Sequence, residues 1–154
     1  MKLLAALTIA ALGLSTAATS LRAEAPMTVV ESKVPVKAAM DALAKAVEGR
    51  GIKVVARIDH AAGAKSAGME LRPTEMLMFG NPKLGTPIIA ADPRMGIELP
   101  MRVVAWQDAA GKTWIGYTSP DVYKGRYGLK GVDDPLTAMA KALEGLVKGA
   151  ASGQ

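Results

Sequence analysis

Residues 99–118, LPMRVVAWQDAAGKTWIGYT, decide the fold class. Two runs rich in β-branched and aromatic residues, Leu99 to Trp106 and Thr113 to Thr118, flank Asp108-Ala109-Ala110-Gly111, where Gly111 can take the left-handed backbone that a hairpin bulge requires. The expectation is an antiparallel hairpin set in a mainly antiparallel sheet. Upstream, Thr86-Pro87 has the form of a helix N-cap followed by proline at the first helical position, opening a short helix through Ala90 that stops before Pro93. Before it, Asn81-Pro82 ends a strand at Glu75 to Phe79, with Met76 and Met78 on one face and Glu75, Leu77 and Phe79 on the other.

Residues 52–59 also alternate. Ile52, Val54, Ala56 and Ile58 point one way, Lys53, Val55, Arg57 and Asp59 the other, and His60 continues the apolar face of this half-buried strand. The Ala-rich stretch Ala61 to Gly68 fits a short helix or a loop. Residues 35–48 switch to helical spacing: Val36, Ala39, Met40, Leu43 and Val47 form one stripe, Pro35 suits the first turn and Gly49 and Gly51 the exit. Met27 to Glu31 reads as a first strand. Downstream of the hairpin, Tyr123 to Lys130 reads as a connection. Asp134 then caps a last helix with Pro135 at its first position, burying Leu136, Met139, Ala140, Leu143, Leu146 and Val147, before a flexible tail at residues 149–154. The order strand, helix, strand, strand, short helix, strand, strand, helix predicts an α+β two-layer sandwich over residues 27–148, with helices on one sheet face.

The N-terminus has the three parts of a cleavable secretory signal peptide, residues 1–23: Lys2, an apolar run from Leu3 to Leu14, and small residues ending in Ala23-Glu24-Ala25. A cut after Ala23 is preferred, because a cut after Ala25 would leave Pro26 at the first mature position. Spanning a bilayer takes about 20 apolar residues, and Arg22 closes this run too early for a stable anchor. Export would remove Lys2 and Arg22, taking the 19 basic residues to 17 against 14 acidic ones and the formal charge from +5 to +3. The remaining cations are scattered among acids with no interleaved aromatic stripe, which argues against nucleic acid as a partner. Without cysteine the chain has no disulfide, no thiolate metal site and no lipidated cysteine, so packing alone must hold an exported domain.

The segment Ile58 to Pro120, with an Asp-His pair after a strand, then FGNPKLGTP (79–87) and ADPRMGIELPMRV (91–103), resembles the family catalogued as domain of unknown function 302. The resemblance implies a compact domain of the strand-helix-four-strand-helix kind, related in shape to helix-grip folds, and a homodimer. It implies no established reaction.

Several residues stand out for chemistry. His60, the single histidine, can carry a proton near neutral pH or sit at the core edge bonded to backbone. Glu75 and Arg102 can orient a polar ligand or form a structural ion pair. Asn81 and Lys83 lie where a helix N-terminus with a nearby lysine attracts anions, although the spacing is not that of a P-loop. No nucleophile constellation appears, so the balance is against an enzyme, and the sequence designates no cofactor. The leading expectation is an exported module that binds or senses a small molecule around His60, Glu75, Asn81, Lys83 and Arg102, between helices and sheet. The alternatives are copper(I) binding through His60, Met76 and Met78, and an enzyme using His60 as acid/base with Glu75.

Overall fold

The hairpin forms as the sequence expects. In the computed structural model, which describes residues 27–154, β4 (Met101–Gln107) and β5 (Thr113–Thr118) pair antiparallel. Gly111 has φ +83°, and the Asp108 carboxylate closes the turn by accepting the N–H groups of Ala110 and Lys112 at 2.9 Å each. Its second oxygen accepts the indole N–H of Trp114 at 2.8 Å, tying the turn to the strand that leaves it. Around this hairpin the sheet grows in both directions. β1 (Met27–Ser32) pairs with β5, β3 (Thr74–Gly80) with β4, and β2 (Lys53–Asp59) with β3, giving the order β1-β5-β4-β3-β2 with every pair antiparallel.

Two long helices, α1 (Val36–Gly49) and α5 (Asp133–Ser152), cover one face of this sheet, which is the expected α+β two-layer arrangement. The α1 stripe is buried at all five expected positions, against Leu77 and Phe79 of β3 and Val103 and Ala105 of β4. Burying such aliphatic side chains contributes about 1.5–3 kcal/mol each, so the core follows directly from the period of the stripe. The opposite sheet face carries Val29, Met76, Met78, Val104, Trp106 and Trp114 and is open. Gly116 lies in this face because a side chain there would collide: an added Cβ would stand 2.6 Å from the Met27 sulfur and 3.0 Å from the Trp106 ring.

Six local expectations are corrected. The alternation of residues 52–59 is broken by a β-bulge between Val54 and Ala56, so Val54 faces the helices opposite Phe79 while Ala56 and Ile58 turn to the open face. Arg57 is thereby carried to the helix side. His60 does not extend that strand: it is the exposed first residue of α2 (His60–Ser66), which Asp59 caps by accepting the Ala62 N–H at 2.8 Å. The helix expected at Thr86 begins earlier, as α3 (Pro82–Ala91), because Asn81 supplies the cap and Pro82 the first position, with Pro87 inside the helix.

The stretch Tyr123 to Lys130 is partly helical, as α4 (Asp121–Tyr127), after a 3-10 turn at Pro93–Ile97 that precedes β4. Val132, not Asp134, occupies the N-cap of α5, which leaves Asp133 and Asp134 in the first turn where the helix dipole favours acids. The helix also runs on through Ser152. Ala150 and Ala151 are buried, and the Ala151 carbonyl accepts the Lys33 N–H at 2.7 Å, so most of the expected tail is an ordered helix end. The expected leader, residues 1–23, lies outside the described residues.

Candidate functional site

The five expected ligand residues do not converge on one place. The register sets Glu75 opposite Ala105 on the helix face and Arg102 opposite Met78 on the open face, so the two project to opposite sides of the sheet. Their partners are different ones. Glu75 is only 8% exposed and receives Arg57, with Nε at 2.7 Å and a terminal nitrogen at 2.6 Å. Arg57 also donates to Asp41 of α1 at 2.6 Å, and Lys37 reaches the other oxygen of Asp41 at 2.8 Å. Burial alone would lower the Arg57 pKa, but the bonds to Asp41 and Glu75 outweigh it and raise it further; bonds from Lys37 and Arg57 hold the Asp41 carboxyl below its usual range.

Arg102 joins a second cluster. The buried carboxylate of Glu98 accepts Arg102 at 3.3 Å on one oxygen, and Arg126 at 2.8 Å and the Tyr127 hydroxyl at 2.7 Å on the other. Arg94 stands 5.6 Å over the Tyr127 ring and is paired to Asp92. Tyr123 packs edge-on against Tyr127, and burial chiefly pushes its pKa up to about 12. The acid here, Glu98, is a residue the sequence reading passed over. Its signal was a lone carboxylate inside the otherwise apolar GIELPM (96–101).

His60 is exposed at the start of α2, directly after Asp59, the strand partner of Glu75, and its ring makes no hydrogen bond to either cluster among the described residues. Met76 and Met78 do share the open face, beside Ile58 and Ala56. Among the described residues, no group of three or more His, Asp or Glu side chains is placed to hold a metal ion.

Asn81 leads to a cavity of about 370 Å³ between α3, α5 and the adjoining ends of β2, β3 and β4. Phe79 and Met101 form its sheet side, Leu84 and Ile89 its α3 side, and Met139 and Leu143 its α5 side. Every residue from Phe79 to Thr86 except Lys83 contributes to the wall, as do Leu99 and Pro100. The FGNPKLGTP and ADPRMGIELPMRV stretches of the family resemblance therefore meet here, while its Asp-His pair does not take part. The α3 turn is internally satisfied: the Asn81 side chain accepts the Lys83 N–H at 3.0 Å, and the Asn81 carbonyl accepts those of Leu84 and Gly85. Lys83 itself is exposed and outside the wall.

The cavity is apolar with a few polar groups, the Asn81 amide, the Thr86 hydroxyl and Lys53 among its lining residues. The sequence reading missed its walls because Leu84, Met139 and Leu143 have the signature of ordinary core residues.

Comparison with known proteins agrees with the fold. Fluoride-specific ion channel FluC 1 of Brucella suis biovar 1 (strain 1330) is 41% identical over 91 residues, which are 59% of this chain and 36% of that protein. The protein of the same name from Brucella abortus biovar 1 (strain 9-941) matches at the same identity over 34% of its length. The chain thus spans about a third of the length of these curated relatives. Among solved structures, an uncharacterized conserved protein DUF302 from Bacillus stearothermophilus superposes with a TM-score of 0.72 at 17% identity, covering 81% of this chain and 98% of that one, and so shares the fold. Residues 28–146 match the family described as Domain of unknown function DUF302, and the chain belongs to that family.

Proposed function

We propose that this protein is an exported ligand-binding or sensing module whose small-molecule site is the apolar cavity between α3, α5 and the sheet. The observation that carries this reading is the cavity itself, about 370 Å³ with walls that are almost wholly hydrocarbon. Such a surface gains by exchanging water for an apolar ligand, and it offers no acid, base and nucleophile in one place for chemistry. The test is a thermal-shift and native mass-spectrometry screen of the purified protein, alongside Ala142→Phe, in which a ring is added to a half-buried position of the wall. Stabilisation of the wild type by apolar ligands, and its loss in Ala142→Phe, is the expected result; no stabilisation by any of them overturns the reading.

A second reading comes from the relatives named as fluoride channels. Among the described residues no helix is long and apolar enough to cross a membrane, and the 91-residue match is too long to lie outside them. The shared part therefore fits an accessory module better than a pore. In this reading fluoride is the signal, and to be received by the guanidinium groups of Arg94, Arg102 and Arg126 it has to compete with Asp92 and Glu98, which already pair with them. Fluorine-19 NMR titration with the protein decides it: line broadening that Arg126→Gln abolishes supports fluoride binding, and an unperturbed fluoride signal ends it.

A further inference from the structure

Resting on the reading of the cavity as a ligand site, we propose that its ligand is an amphipathic anion: an apolar body within the cavity and a single negatively charged head group at Lys53. The walls dictate the body, because a charge enclosed by Phe79, Leu84, Ile89, Met139 and Leu143 would lose its hydration with nothing in return. The sign of the head group follows from the rim. Lys53 is the one charged residue in the wall, it is exposed, and among the described residues it has no carboxylate partner within 4.0 Å. No acidic side chain lines the cavity, so a cationic head group would meet only like charge.

The ten-residue helix α3 points the same way. Its N-terminal residues Asn81 and Pro82 are in the wall, and the positive end of the helix dipole favours an anion there. Because its first free N–H groups are taken by Asn81, the helix acts through its field. The remaining donors are side chains: the Asn81 amide, whose oxygen alone is used by the cap, and the Thr86 hydroxyl.

The probes are octanoate, 1-octanol and octylammonium, titrated into the full mature protein by calorimetry. Octanoate should bind at least tenfold more tightly than octanol, and octylammonium more weakly than either. Lys53→Met, and Lys53→Gln as a second variant on the exposed face of an edge strand, should erase the preference for octanoate while leaving octanol affinity unchanged. Raised salt should weaken octanoate alone. Equal affinity of octanoate and octanol for the wild type, or a preference that survives both Lys53 variants, overturns the head-group assignment and leaves the apolar site standing. Absence of binding by all three probes overturns both.

Discussion

Arg57 shows how much one bulge decides. Had residues 52–59 kept strict alternation, its guanidinium would have lain on the face opposite Val54, away from the apolar side of the strand. The bulge at Val55 puts Val54 and Arg57 on the same, helix-facing side, where Arg57 closes on Glu75 and Asp41. Removing one partner of a buried ion pair costs about 3–5 kcal/mol, and because Arg57 is 31% exposed, a loss of about 2 kcal/mol is expected for Arg57→Ala in urea denaturation. Adding Glu75→Gln should recover part of that loss, since the stranded charge is what destabilises; additive losses in the double variant would show that the pair is not coupled.

The pH response belongs to the same residues. Lys37 and Arg57 depress the Asp41 pKa in the folded state, so the stabilisation is complete above the ordinary aspartate range and is lost as pH falls through the depressed value. Asp108, held down by the Trp114 N–H, adds a loss of the same sign. Thermal midpoints should therefore fall steadily below about pH 4, with a shallower fall in Asp41→Asn. A midpoint curve for Asp41→Asn parallel to that of the wild type would contradict this.

At the scale of elements, α5 departs most from its sequence pattern. Gly149 followed by Ala-Ala-Ser-Gly has the composition of a frayed end, yet the helix continues to Ser152 and Gly153 closes it at φ +79°. Tertiary contact outweighs propensity there: Ala150 and Ala151 are buried, and the Ala151 carbonyl satisfies the N–H of Lys33 just after β1. Deleting residues 150–154 should cost about 1–3 kcal/mol, from an unpaired N–H and the exposed end of the core, read as a lower urea midpoint. Unchanged stability would mean that this last turn frays in solution. The start of α3 departs in the other direction: Asn81-Pro82, read from the sequence only as the break that ends a strand, supplies the cap and first position five residues before the expected Thr86-Pro87. Pro87 then falls inside the helix, where it withholds the N–H that would otherwise bond the Lys83 carbonyl.

For the whole molecule, the proposed export predicts that the full chain expressed in a bacterium yields a periplasmic protein beginning at Glu24, identified by intact mass. A cytoplasmic product retaining Met1 or Lys2 would contradict it. The sequence by itself determined the fold class, because the period of an apolar pattern depends only on local backbone geometry: 3.6 in residues 35–48 and 136–147, and 2 in residues 75–79. It also determined the hairpin, whose turn chemistry is local to Asp108 and Gly111. Only the tertiary structure decided which side chains share a site. Glu75 and Arg102 looked like partners from their types, but a strand face is assigned by register, and register placed them on opposite sides of the sheet. The cavity was hidden for the same reason. Its walls come from α3, α5 and three strand ends, and a hydrocarbon side chain reads alike in sequence whether it fills a core or leaves room for a ligand.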